Sequence, residues 1–251
     1  MAYINGNKIA FSPRITLINR QPDELFRSVV DKTISGAIGV ELEGAETIGD
    51  YAFIGCSALT AVTVPDSVTS IGSESFRRCS ALQTVILPEG LTEILSSAFR
   101  QCKKLTSINI PSTVETIEEN AFNGCTILPS ITLPTGLILI PTSCFQSCSA
   151  LETVTLPSDL NEIGTGAFFS CASLKQIDIP STIEAIGGQA FRNCTALEKI
   201  IVRNPTPVSL GSNAFLNTNN CPIEVPSASV NTYKAHADWS AYASRITAIT
   251  E

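Results

Sequence analysis

Residues 98–117 read AFRQCKKLTSINIPSTVETI, and the pattern in them returns every 23 residues. Phenylalanine stands at Phe53, Phe76, Phe99, Phe122, Phe145, Phe168 and Phe191. Cysteine follows three places later, at Cys56, Cys79, Cys102, Cys125, Cys148, Cys171 and Cys194. Leucine follows three places after that, from Leu59 to Leu197. Proline keeps phase at Pro65, Pro88, Pro111, Pro134, Pro157 and Pro180. Isoleucine closes each unit, from Ile71 to Ile186, with Ile48 opening the series. Such a period is the mark of a repeat architecture.

Within a unit, Leu59 to Val64 alternates, with Val62 and Val64 on one side and Ala61 and Thr63 on the other. Period two predicts a strand, and the proline after it, which cannot donate to a ladder, ends it. Val68 and Ile71 predict a returning apolar wall. The A-F-x-x-C segment fits a short turn of helix, with Phe filling the interior and Cys packing as a small hydrophobe. One unit cannot bury its own apolar side, whereas stacked units cover each other. The expected fold is a single-domain α/β leucine-rich-repeat solenoid, since 23 residues lies in that repeat range. It is a right-handed stack with one parallel β-sheet face, short helical turns or loops opposite, and a cap at each end. Neighbouring strands should lie about 4.8 Å apart.

The units resemble the BspA-like leucine-rich repeats, in which L-x-x-I-x-L-P is followed by I-x-x-x-A-F-x-x-C. The likeness is close from Ile48 to Val202 and looser in the tail. It implies a curved solenoid and a bacterial or protozoan surface or secreted protein engaged in adhesion and protein binding. It implies no enzymatic activity in the repeats.

Around the array, residues 1–43 read as an N-terminal cap, 44–202 as about seven repeats, and 203–251 as an irregular last repeat with a C-terminal cap. Asn5-Gly6-Asn7 between Tyr3, Ile4, Lys8 and Ile9 is a hairpin signal. Pro22 to Asp31 predicts a short helix, with Leu25, Phe26, Val29 and Val30 on one side. Val40 and Leu42 predict a degenerate first strand, one residue out of register. This opening also resembles, briefly, the leaders of some bacteriophage- or prophage-encoded repeat proteins. After Val202 the phase slips, with Phe215 coming 24 residues after Phe191. Ile223 to Pro226 still reads as a final strand. Val230, Tyr233, Trp239, Tyr242, Ile246 and Ile249 then follow at helix-like spacing, as a plug for the last coil or, less simply, as an aromatic ligand patch.

Composition bounds the function. The 251 residues carry 16 Lys+Arg against 23 Asp+Glu, a net charge of −7, which argues against general nucleic-acid binding. No run of 18 apolar residues is present, so no membrane insertion is expected. Met1 to Lys8 lacks the basic and apolar segments of a secretory signal. An extracellular or cell-surface place follows from the resemblance alone, with a virion-associated or cytoplasmic one as the alternative.

Nine cysteines invite a disulfide or metal reading. Equivalent side chains in a ladder point in parallel, which disfavours bridges, and no paired C-x-x-C cluster exists for zinc. Buried free thiols are expected. His236, the one histidine, has no motif partner, and Glu118, Glu119, Asp159 and Glu162 sit where loops carry solvated charge. No nucleotide, serine-hydrolase or metalloprotease motif occurs, so no enzyme, catalytic residue, metal or cofactor is expected.

What remains is surface. Two rows of strand side chains should face solvent. One is Thr63, Ile86, Asn109, Thr132, Thr155, Asp178 and Ile201. The other is Ala61, Thr84, Ser107, Ser130, Thr153, Gln176 and Lys199. The candidate binding face within them is Thr84, Ser107, Asn109, Ser130, Thr132, Thr153, Thr155, Gln176 and Asp178. Threonine also suits a half-exposed strand for propensity alone. A candidate basic patch, Arg77, Arg78, Arg100, Lys103 and Lys104, gathers on adjacent turns. The expected function is a non-enzymatic binding or adhesion module for a protein or surface glycan. The alternative is a virion or tail-associated component.

Overall fold

The computed structural model describes residues 47–250 and, before them, the backbone of four strands: β1 (Ala2–Ile4), β2 (Asn7–Ile9), β3 (Ile15–Thr16) and β4 (Gly39–Glu41). The chain divides into two units, Met1–Ile127 and Leu128–Glu251. Each is a parallel-strand solenoid.

In the first unit the repeats contribute β5 (Ala61–Thr63), β6 (Ser70–Ile71), β7 (Thr84–Ile86), β8 (Glu93–Ile94), β9 (Ser107–Asn109) and β10 (Thr116–Ile117). Strands β3, β4, β5, β7 and β9 form one parallel sheet, and β6, β8 and β10 a second, narrower one. The register is one repeat per step: Val62 lies opposite Val85, and Val85 opposite Ile108. Val40 lies opposite Val62, 22 residues on, so the degenerate first strand is one residue short as expected. Strand β3 beyond it was not legible in the sequence. β1 and β2 pair antiparallel, with Ile4 opposite Asn7, as the hairpin signal requires. The helix expected over 22–31 lies outside the described residues.

The second unit repeats the plan with β11 (Ser130–Thr132), β12 (Leu139–Ile140), β13 (Thr153–Thr155), β14 (Glu162–Ile163) and β15 (Gln176–Ile179). It continues with β16 (Ala185–Ile186), β17 (Lys199–Val202), β18 (Ser209–Leu210), β19 (Ile223–Val225) and β20 (Ile246–Ala248). β11 pairs with β13; β15, β17, β19 and β20 form one sheet; β12, β14, β16 and β18 form the narrow one. The sequence showed the narrow sheets only as an apolar pair, because two-residue strands are too short to alternate. Their coils pack closely: a Cβ on Gly187 would lie 2.5 Å from the backbone nitrogen of Thr165.

The A-F-x-x-C segment is not a turn of helix. Two residues in each repeat, two places before and two after the Phe, are left-handed: φ is 58° at Ser97 and 61° at Gln101, 60° at Asn120 and 76° at Gly124. A type II turn requires a positive φ at its third place, and the segment is a run of overlapping four-residue turns, such as Ala98 N–H to Leu95 O (3.2 Å) and Cys102 N–H to Phe99 O (3.1 Å). The alternation turns every second N–H outward along the stack. Ser97, Phe99 and Gln101 donate to the carbonyls of Glu119, Ala121 and Asn123 in the next coil, at 2.9, 2.8 and 2.7 Å. A helix would have spent those donors inside its own coil.

The interior is the phenylalanine column. Phe53, Phe76, Phe99 and Phe122 stack at centroid spacings of 5.0, 5.4 and 5.6 Å within the first unit. Phe145, Phe168, Phe191 and Phe215 stack at 5.3, 5.2 and 5.6 Å in the second. All eight are buried. The alignment follows from identical residues at identical register, and near-parallel offset rings are a favourable aromatic arrangement. All nine cysteines are buried thiols. Several close the column with weak bonds: the Cys102 and Cys194 thiols donate to Phe76 O and Phe168 O, one coil back, at 3.1 Å each.

The C-terminal run is a composite rather than one helix. A 3₁₀ turn (Ser227–Ser229) leads into α1 (Val230–Ala235), then a second 3₁₀ stretch (Ala237–Arg245). Ile246, expected at helical spacing, instead starts β20, which adds a last strand to the sheet. Tyr233 and Trp239 are buried as the plugging role requires, and the Trp239 indole donates to Val208 O at 2.8 Å.

Candidate functional site

Alternation on a pleated sheet sends every second side chain outward, and the predicted rows fall there. In the first unit Ala61, Thr63, Thr84, Ile86, Ser107 and Asn109 are exposed on β5, β7 and β9. In the second, Ser130, Thr132, Thr153, Thr155 and Gln176 are exposed on β11, β13 and β15. None of these side chains bonds to another described residue.

Hydroxyls elsewhere on the coils behave differently. Thr92 and Thr106 donate back to the preceding coil, to Thr69 O (3.2 Å) and Gln83 O (3.1 Å). Thr113 reaches Glu89 O and Leu91 O, and Thr182 reaches Ser158 O and Leu160 O, at 2.7 to 2.9 Å. Off the sheet face, these threonines hold coil to coil. On it, the hydroxyls are left with their hydrogen-bonding capacity free.

The far end of the second unit's row departs from expectation. Asp178 is half-buried and held by both arms of Arg203, at 2.7 Å each, so it is an ion-pair member rather than a free contact. The cause is a proline column that ends: Arg203 stands where earlier repeats carry proline, two places past Ile201 on the same face. Ile201 is buried, as is Glu224 beside it in the register, whose carboxylate sits 3.6 Å from Lys199. The row therefore closes over toward the cap.

The basic patch is partly spent. Arg77 is half-buried and paired to Glu74 at 2.6 Å, and the Arg78 guanidinium donates to Gln101 at 3.1 Å. Arg100, Lys103 and Lys104 form no ion pair among the described residues.

Three of the groups weighed for chemistry, Glu118, Asp159 and His236, have structural partners. Glu118 accepts the Ser96 N–H at 2.8 Å. His236 accepts the Asp238 N–H at 3.3 Å, a capping bond between the two helical stretches. Burial pushes the Cys194 thiol up to about 12 and Cys171 well above the ordinary range, the reverse of a nucleophile's environment. Among the described residues no group of His, Cys, Asp and Glu could hold a metal ion, and no helix is long and apolar enough to cross a membrane.

A groove between the last coil and the cap was not expected from the regular repeat. Its volume is about 860 Å³, and it is lined by Leu216, Asn217, Asn219 and Asn220 on one side and Tyr242 and Arg245 on the other. The irregular Asn-rich spacing before Cys221 was the only available hint.

A family model described as a BspA type leucine rich repeat region, in six copies, matches residues 46–175 and 161–238. Among solved structures the chain is similar to a leucine-rich cell surface protein of Faecalibacterium prausnitzii, at 28% identity and TM-score 0.61 over 74% of this chain and 60% of that one. It is similar to a leucine-rich repeat protein of Bacteroides ovatus, at 26% and 0.57 over 71% and 58%. It is also similar to a leucine-rich repeat protein of T. pallidum, at 27% and 0.60 over 76% and 87%. The chain thus spans about 60% of the length of the first two. No curated protein matches it.

Proposed function

The chain belongs to the BspA-type leucine-rich repeat family, and on that premise we propose that it is a non-enzymatic adhesion module that binds a surface protein through its main-sheet face. One observation carries this: the hydroxyl and amide rows of that face make no bond to another described residue, while threonines elsewhere on the coils bond from coil to coil. Rigid side chains with unspent polar groups lose little entropy on binding. Repeat solenoids supply extended surfaces of this kind, and several copies displayed together would add avidity. A cell-surface place suits this reading, as the name of the F. prausnitzii neighbour does.

The test is binding to a panel of purified extracellular-matrix proteins, with a matched panel of surface glycans. Thr132→Arg with Thr155→Arg should lower affinity for the bound member at least about tenfold, the loss of some 1.4 kcal/mol, with melting unchanged. Equal affinity would move the site off the sheet. Arg100, Lys103 and Lys104, with no ion pair among the described residues and all on one coil, favour a second reading in which an acidic partner docks on the first unit. That reading predicts binding that weakens steeply with salt and with Lys103→Glu. The virion-associated alternative rests on a likeness within residues 1–43, and predicts that the chain co-purifies with particles.

A further inference from the structure

In each interior coil of the second unit, three N–H groups point onward and meet the carbonyls of the next coil. Gln189, Phe191 and Asn193 donate to Ser212, Ala214 and Leu216, each at 2.9 Å. The last coil has no successor, and the cap replaces it incompletely. Phe215 N–H finds the Tyr242 hydroxyl at 3.3 Å. The Asn217 N–H, counterpart of that of Asn193, finds no partner among the described residues, although its carboxamide donates back to Asn193 at 2.8 Å, and Asn217 lines the groove. Its position in the ladder aims that N–H where a further coil's carbonyl would stand.

Arg245 is the one charged group of the lining. Arg245 turns inward, donating to Cys221 O and the Thr218 hydroxyl at 2.8 Å and to Phe215 O at 3.3 Å. No carboxylate lines the space. Leu216 is 39% exposed and offers apolar surface. Asn219 and Asn220 are consecutive left-handed residues, at φ 53° and 50°, a costly backbone state that asparagine tolerates better than most. Their carboxamides make no bond among the described residues. The Tyr242 hydroxyl, accepting from Phe215, keeps its own hydrogen to donate.

We propose that this groove binds an uncharged peptide segment of a partner protein, whose backbone carbonyl takes the Asn217 N–H in place of the missing coil. The Asn219 and Asn220 carboxamides, each both donor and acceptor, pair with the peptide's amide groups, and Leu216 takes an apolar side chain. A backbone carbonyl is the group this N–H position meets in every interior coil of the unit, which favours a peptide over a glycan. The mode continues a hydrogen-bond ladder with a foreign segment, as strand addition does at a sheet edge.

The test is nuclear magnetic resonance of the labelled full chain with short acetylated, amidated peptides free of charged residues. The first copies residues 210–219, the segment whose Leu216 carbonyl accepts from Asn193; a randomised set follows. At saturation, exchange of the Asn217 amide hydrogen should slow about tenfold or more while that of Asn193 stays unchanged. Ala241→Trp, which fills the groove from its exposed rim, should abolish binding without lowering the melting temperature. Thr155→Arg on the sheet should bind the peptide as the wild type does, which separates this site from the sheet-face proposal. The proposal is overturned if no peptide binds, if binding leaves Asn217 exchange unchanged, or if maltotriose or chitotriose protects Asn217 and peptides do not.

Discussion

A phenylalanine at one place in each coil does two jobs at once. Its ring meets the rings above and below, its backbone N–H donates to the next coil, and its C=O accepts from the thiol of that coil's cysteine. Phe99→Ala should therefore cost about 3 to 5 kcal/mol, the range for large aromatic truncations in a core, read as a fall in the denaturant midpoint. The cysteines bring a pH dependence whose sign is fixed by burial. The Cys194 thiol is raised from 9.0 to about 12 in the folded chain, so the folded state holds its proton more tightly than the unfolded state. Its contribution is complete below the unfolded value and is lost as pH climbs from about 9 toward 12. A chemical-denaturation series should show stability falling over that window, less steeply in Cys194→Ala. Residue types alone carried this scale well. The Phe, Cys and Leu columns read as core and are core, since burial of an apolar side chain depends on its phase in the repeat and little else. The ion pair of Asp178 was not legible because its partner, Arg203, sits 25 residues away, where a proline column happens to end.

At the level of elements, the turn opposite the sheet shows where pattern reading stops. A-F-x-x-C has helical spacing, but a helix and a run of alternating turns bury the same residues. What separates them is the left-handed backbone at Ser97 and Gln101, carried by residue types that do not announce it. The cap has the same character. Its aromatic spacing signalled a plug, whereas the switch from 3₁₀ turn to strand at Ile246 depends on the open edge of β19, a tertiary fact. Arg245 is the cap's main clasp, holding acceptors of the last coil at Phe215, Thr218 and Cys221. Arg245→Ala should cost about 1.5 to 3 kcal/mol, the value of charged hydrogen bonds whose partners are left buried. Hydrogen exchange should then show residues 211–221 opening before the coils preceding them.

Over the whole molecule, function depends on which polar groups the fold uses up. Backbone donors on the turns are consumed by the next coil, and many threonines off the sheet face by the preceding one, so these parts serve as scaffold. The rows on the main sheets and the groove under the cap are left unspent, and each is assigned a partner-binding role on that ground. The repeat period makes the first of these visible in the sequence. The second arises where the period breaks, which no regular pattern can describe. The most direct test of the account is amide hydrogen exchange on the isolated chain, resolved by residue. If coil-to-coil bonding makes the turns part of the scaffold, the amides of Ser97, Phe99 and Gln101 will be protected as strongly as Ile108 in the adjacent strand. If they exchange like free surface loop, the turns are not laddered and the rigid scaffold proposed here does not exist.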